Sequence, residues 1–341
     1  MNIINQRLIN HRLIKSKIQT PVDVVKWMTV MQSQDFTMAL FAIAMRMQDK
    51  NIDAALEYFN KGGFLRTHIL RPTWHFVCAC DILWMSKLSA PQIKARSFAR
   101  DKSLCINEKV ILKCFDVIKL ALKNCHLTRD ELSQKLADAG ININPAFIYH
   151  IFLHGEIEGL ICSGAMKNKK QTYALLCERA PQAKTLSREN SLETLARRYF
   201  LSHGPAMIKD FSWWSGLNVS EARKAINTLD GIKQKDNYFF YPNADINIAK
   251  NTYCLLPAFD EYLIAYQYRK NLIDDKYINK AISSNGIFSP VILRDGKAIG
   301  TWKIAKKEKS KNFVPSFFGK QKESIKKQLN KLYLSFTSHR P

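Results

Sequence analysis

Through most of the first 250 positions, apolar residues recur three and four apart, broken by short stretches in which they alternate. That rhythm predicts helices that lead into hairpins. Ile3, Ile4, Leu8, Leu13 and Ile14 mark a basic amphipathic helix start. Thr20-Pro21 supplies an N-cap and a first helical residue for a helix over 21–31. Asp35-Phe36-Thr37 breaks or kinks it, a second helix runs from about Met38 to Met47, and a short one over 52–61 is stopped by Gly62-Gly63. Phe64 to Val77 alternates and is rich in Thr, Ile, Trp and Phe, which predicts strand, turn and strand around Arg71-Pro72. Helices followed by a hairpin describe a winged helix.

The same order returns twice. Asp81–Lys94 reads as a helix, and the basic stretch 95–102 as a linker or a phosphate-facing turn. Asn107–Lys123 has a clear 3.6-residue period, Thr128 and Glu131 form a capping box, and Asn144-Pro145 opens a helix through Leu160. Ile161–Gly164 and Thr172–Leu175 then flank a turn holding Lys167, Lys169 and Lys170. A third copy begins near Ser191: a helix over Leu192–His203, another from Pro205 through Trp213-Trp214, a third capped by Ser220, and a hairpin around 235–237. The copies share element order and not residues. The expected fold class is α+β, mainly helical, with three tandem winged-helix units (1–100, 101–185, 186–250) and a C-terminal β-hairpin-containing region (251–341).

That last region differs from the rest. Tyr253–Pro257 reads as a buried strand, followed by the acidic pair Asp260-Glu261. The pair is either a general base or a structural partner of Arg269, and pairing is the stronger reading. Val291–Leu293 and Ala298–Trp302 alternate about Arg294-Asp295-Gly296-Lys297, and Asp-Gly between such segments is a strong hairpin signal. The tip is read as basic and narrow enough to enter a groove. Ser316–Phe336 reads as a Lys-rich helix.

Composition narrows the function. The formal net charge is +23 and the sequence pI about 9.7, which points to a polyanionic partner, nucleic acid first. An anionic membrane surface fits less well, because no long basic amphipathic stretch carries a bulky apolar face. No apolar run approaches the roughly 20 residues of a span, and Met1–Arg7 has no signal-peptide core, so a cytoplasmic protein is expected. The 8 cysteines are scattered without a CxxC pair and read as small core residues of a reducing compartment. His150 and His154 have zinc-like spacing, but Ile151 stands where HExxH needs Glu, so no metal is assigned. Glycine-rich phosphate loops and a GxSxG elbow are absent, and Trp213-Trp214 read as core. Arg66, His68, Arg71, Trp74 and His75 suit phosphate and sugar contact.

One further stretch draws attention. In Met31-Gln32-Ser33-Gln34-Asp35 two neutral amides, each donor and acceptor, lie one residue apart between helical runs. Together with Leu65–Val77 (LRTHILRPTWHFV), Ser202–Ala206, Asp210–Leu217 and Leu255–Leu263 (LLPAFDEYL), it resembles the winged-helix DNA glycosylases of the AlkZ/YcaQ type, over about residues 5–335. The resemblance implies tandem winged helices around a basic DNA surface and excision of alkylated purines, including bulky or crosslinked N7 adducts. It carries the family's catalytic Gln, apolar residue, Gln-or-Asp motif onto Gln32 and Gln34, with Ser33 at the position that is apolar in the family. An N7-alkylated purine is already cationic, so two amides that hold a water beneath C1′ suffice without a strong base. The expected partner is alkylated or crosslinked duplex DNA, bound by a cofactor-free monomer through Arg66, Arg71, Trp74, His75, Lys167, Lys169, Lys170, Arg294, Lys297 and Lys303. The alternative reading is a non-catalytic winged-helix DNA-binding protein or transcription regulator.

Overall fold

A computed structural model describes residues 2–242, 247–307 and 310–337. They fall into two compact units, Met1–Leu56 with Glu193–Pro341 and Glu57–Leu192. Helix α1 (Ile3–Asn10) is capped by Asn2, and α2 (Pro21–Met28) starts on the expected Thr20 cap. Helix α2 ends three residues short of the expected Met31. Thr29 takes a left-handed φ of 71°, unusual for a β-branched residue, and turns the chain into strand β1 (Val30–Gln32). Asp35 accepts a hydrogen bond from Met38 N and caps α3 (Phe36–Ala44), and α4 (Ile52–Lys61) follows.

The second unit carries the expected hairpin, β2 (Phe64–Ile69) and β3 (Thr73–Cys78), in continuous antiparallel register. Helix α5 (Ile82–Ser103) runs unbroken through the stretch expected as a linker, with Pro91 inside it. Its buried side chains continue to Ile93, Ser97 and Asp101, so one face stays packed where the sequence turns basic. Helix α6 (Glu108–Leu122), strand β4 (Leu127–Thr128), α7 (Arg129–Asp138), α8 (Pro145–Ile157), β5 (Ile161–Ser163) and β6 (Thr172–Leu175) complete a helix–strand–helix–helix–hairpin order, with the sheet in the order β4-β6-β5. The Thr128–Glu131 capping box and the Asn144 cap form as expected. Cys114, Ile118, Leu122, Leu132, Leu136, Phe147, Ile151 and Phe152 fill its core.

After α9 (Leu176–Arg179), helix α10 (Arg188–His203) leads back into the first unit, followed by α11 (Ile208–Ser215) and α12 (Val219–Asn227). Asn218 caps α12, its side chain accepting from Glu221 N at 2.8 Å, so the helix starts before the expected Ser220 cap. Strands β7 (Lys233–Lys235) and β8 (Tyr238–Phe240) form the expected short hairpin. Then β9 (Tyr253–Leu256), α13 (Glu261–Ile264), α14 (Ile278–Ala281), β10 (Val291–Arg294), β11 (Lys297–Lys307), β12 (Ser310–Phe317) and α15 (Glu323–Thr337) close the chain, with a four-stranded sheet in the order β12-β11-β10-β9. The helix expected over 316–336 therefore begins at Glu323. The residues before it pair as an edge strand, which tolerates Pro315 because no strand lies on its outer side. No described helix is long and apolar enough to cross a membrane.

Candidate functional site

In the first unit, three of the segments singled out in the sequence meet around one carboxylate. Arg46 and Asp260, both fully buried, make a two-pronged ion pair with both N–O distances at 2.8 Å. Arg46 is the partner Asp260 takes in place of the expected Arg269, whose Nε instead donates to Leu263 O. Asp260 also caps α13 by accepting from Tyr262 N, which fixes the direction of Glu261, itself 1% exposed. Glu261 Oε1 accepts from the backbone N–H of Gln32 at 2.7 Å, and Oε2 accepts from Trp214 Nε1 at 2.9 Å. His203 Nε2 lies 3.7 Å from Oε2. Trp214 is core, as expected, whereas Trp213 is 42% exposed and donates to Ile264 O.

The floor beneath this carboxylate is aromatic and cationic. His203 stacks on Tyr199 with ring centroids 4.9 Å apart, and His11 meets His203 edge-on at 4.7 Å. Tyr266 donates its hydroxyl proton to His203 O at 2.6 Å, so His11 Nε2, at 2.7 Å from that hydroxyl, is the donor to it. The Arg7 guanidinium lies 3.6 Å over the Tyr266 ring and donates to Pro205 O. Burial pushes the pKa of His11 well down, with His203, Arg46 and Arg7 adding to it. Burial also lowers His203, against the opposing pull of Glu261. Both imidazoles are therefore neutral at pH 7 and add no charge beside Glu261.

Around Gln32 the chain alternates. Gln32 is half-buried, Ser33 fully buried and Gln34 exposed. Ser33 thus occupies an inward-facing position, which explains why an apolar residue suits it in the resembled family. Glu261 was in view in the sequence as half of an acidic pair after a strand and within the Leu255–Leu263 segment of the resemblance, and no local signal tied it to Gln32.

The residues expected to touch DNA are scattered in character. In the first unit, Lys297 and Lys303 are exposed, and Arg294 is half-buried with Nη2 2.5 Å from Asn251 Oδ1. The turn between Arg294 and Lys297 is not the free tip the sequence suggests. Gly296 is buried, its carbonyl accepts from Tyr262 OH at 3.1 Å, and a Cβ on it would overlap Ile4 and Leu8 of α1. In the second unit, Lys169 is exposed at the β5–β6 turn, whereas Lys167 Nζ is 2.6 Å from Glu131 and Lys170 is 3.8 Å from Asp130. The Lys167 ammonium and the Thr128 capping bonds hold Glu131 down to about 2. Arg71 and Trp74 are half-buried. Arg66 is 7% exposed, stacks 4.0 Å over Trp74 and donates to Gln171. His75 is fully buried with Nδ1 2.8 Å from Thr73 O, so it packs inside the unit and does not face solvent. The paired histidines His150 and His154 both bind Asp101, at 2.5 and 3.1 Å.

Three comparisons with known proteins bear on this arrangement. The family described as DNA glycosylase AlkZ-like matches residues 25–331. The chain is similar to the interstrand DNA cross-link repair glycosylase of Streptomyces sahachiroi, 26% identical over 165 residues, a match that spans 44% of each protein and so less than half the length of that relative. Its fold is similar to the solved structure of the Streptomyces sahachiroi DNA glycosylase AlkZ, with a TM-score of 0.79 at 18% identity, covering 98% of this chain and 94% of that one.

Proposed function

The chain belongs to the AlkZ-like DNA glycosylase family, and on that premise we propose that it hydrolyses the N-glycosidic bond of alkylated purines in duplex DNA, N7 adducts and bulky or crosslinked ones included. The observation that carries this reading is the 2.7 Å bond from the Gln32 backbone to the buried Glu261 carboxylate. It ties the glutamine motif to a carboxylate that is only 1% exposed.

Gln32 and Gln34 hold a water for attack at C1′. The leaving purine is already cationic, so no residue needs to protonate it. Positive charge grows on the sugar as the bond stretches, and the half-buried Gln32 amide can tolerate it. Glu261 acts as a positioning residue: it fixes the Gln32 backbone and adds a negative potential in a low-dielectric setting, where preorganised charge counts most. The neutral His11 and His203 place no opposing charge beside it. No cofactor enters this scheme. The helix–hairpin segments act as winged helices that grip phosphates through Arg71, Lys169, Lys297 and Lys303, and the protein works as a monomer on duplex DNA.

A duplex carrying N7-methylguanine, incubated with the protein in EDTA, should gain alkali-labile sites. Gln32→Ala and Gln34→Ala should lose activity by about a hundredfold or more, the scale of removing one preorganised polar group, while still binding undamaged duplex. A wild-type protein that binds tightly yet leaves several N7 adducts intact would be a DNA-binding protein without this chemistry.

A further inference from the structure

The second unit contains a small cavity that the scheme above does not use. It has a volume of about 160 Å³ and is lined by Arg66, Trp74, Arg129, Glu156, Ser163, Gln171, Thr172 and Tyr173. Glu156 sits at its wall on α8, and its side chain is 2% exposed. One carboxylate oxygen, Oε2, accepts from the backbone N–H of His68 at 2.9 Å and bonds His68 Nδ1. The other, Oε1, has no hydrogen-bond partner among the described residues. Glu156 lines the cavity, so Oε1 is open to a donor from whatever enters it.

The Tyr173 hydroxyl lines the same cavity and likewise has no hydrogen-bond partner among the described residues. Burial and the neighbouring Glu156 charge both raise its pKa, so it stays a phenol able to donate. Gln171 accepts from Arg66 through its carbonyl oxygen, which leaves its amide N–H groups to donate. The Arg66 guanidinium stacks on Trp74. The cavity thus offers one charged acceptor, several donors and a planar cationic wall. Its volume is about half the roughly 300 Å³ at the lower end of small-molecule sites, so it admits one planar ring system and not a whole nucleotide.

We propose that this cavity binds a single unpaired guanine base of DNA. Guanine presents adjacent N–H donors at N1 and N2, which suit Glu156 Oε1, and acceptors at O6 and N7 on the next edge, which suit Gln171, Tyr173 and the arginines. Adenine places a donor beside an acceptor on that edge, and cytosine has no purine N7. Stacking against a guanidinium plane is a common way to hold an unstacked base. The inference rests on the DNA-binding part of the function proposed above, but it does not need the excision chemistry at Gln32.

Binding of the full chain to a duplex with one bulged guanine is compared with bulged adenine, bulged cytosine, a bulged abasic site and free deoxyguanosine monophosphate. The bulged guanine is expected to bind about tenfold more tightly than the other bulges, the scale of one good two-point contact to a base. Glu156→Gln should erase that preference and leave affinity for plain duplex unchanged. Because Glu156 also holds His68, Tyr173→Phe and Gln171→Ala serve as independent variants, each reducing the preference severalfold without a shift in melting temperature. Free deoxyguanosine monophosphate binding as tightly as the bulged duplex would reassign the cavity to a free nucleotide and overturn the DNA assignment. Equal affinity for all bulges, or a preference untouched by Tyr173→Phe and Gln171→Ala, would overturn the proposal. Since the readout is binding, failure of excision at N7 adducts leaves this result independent.

Discussion

Two hairpins share strand β11, and they differ in what their turns touch. The turn joining β10 to β11 pairs Arg294 with Lys297, and its two central residues take left-handed φ values of 50° at Asp295 and 78° at Gly296. It is clamped on both sides: Asp295 N donates to Thr252 O, Thr252 N donates back to Asp295 Oδ1, and Tyr262 OH donates to Gly296 O. The hairpin of β11 with β12 runs from Gly300 opposite Phe317 to Lys307 opposite Ser310, on the outer edge of its sheet. It carries the exposed Lys303. The comparison teaches that a strong turn signal fixes backbone dihedrals and says nothing about exposure. The short hairpin has its tip docked on α1. The long one keeps a cationic residue in water.

The sharpest way to break that comparison is Gly296→Ala. A Cβ there would overlap Ile4 and Leu8 on a backbone with positive φ. Left-handed strain and overpacking together should cost about 3 kcal/mol, read as a fall in the urea midpoint. A variant of near wild-type stability would mean that the tip is free after all.

Acidification gives a second, graded loss in the same unit, because α1 carries the turn and runs directly into His11. The folded pKa values of His11 and His203 lie below the ordinary 6.5, each through burial first. The unfolded chain therefore takes up protons before the folded one. The stability these groups contribute is complete above about pH 6.5 and is lost as pH falls from there through their lower folded values, by up to about 1.4 kcal/mol per pH unit for each histidine. Urea midpoints measured from pH 8 to 5 should fall on the acid side, and a flat profile would remove the neutral-imidazole reading.

Lys303→Ala tests the long hairpin. With about six phosphates engaged, log K for undamaged duplex should fall with log salt at a slope near −5, and the substitution should flatten it by about 1. An unchanged slope would take β11 out of the DNA surface. The smallest expected stability effect belongs to the double substitution Arg294→Ala, Lys297→Ala, within about 0.5 kcal/mol, because both side chains reach solvent while the turn is held by others. Excision should still drop severalfold if these flanking cations lie along the DNA backbone. A large loss of stability without a selective loss of excision would make them purely structural.

How much of this was legible along the chain follows from the range of each interaction. The caps at Thr20, Thr128 and Asn144, the Asp-Gly turn, the three hairpins at 64–78, 161–175 and 233–240, and the basic balance act within a few residues, and each was readable where it occurs. The unbroken α5 and the strand at 310–317 were not, because α5 keeps one face packed where its sequence turns basic, and the strand is held by its pairing with β11. The glutamine motif was visible, yet its support was not: Gln32 and Glu261 stand 229 positions apart, and Asp260 found Arg46 at a separation of 214 although Arg269 was nearer in sequence. A buried charge takes whichever partner the fold delivers with the right geometry and the least water, and chain proximity has little weight in that choice. Local sequence specified most of the elements, their caps and turns, and the basic balance of the chain. Only the tertiary structure decided which acid stands behind Gln32, which turn is buried on α1, and which carboxylate oxygen is left facing an open cavity.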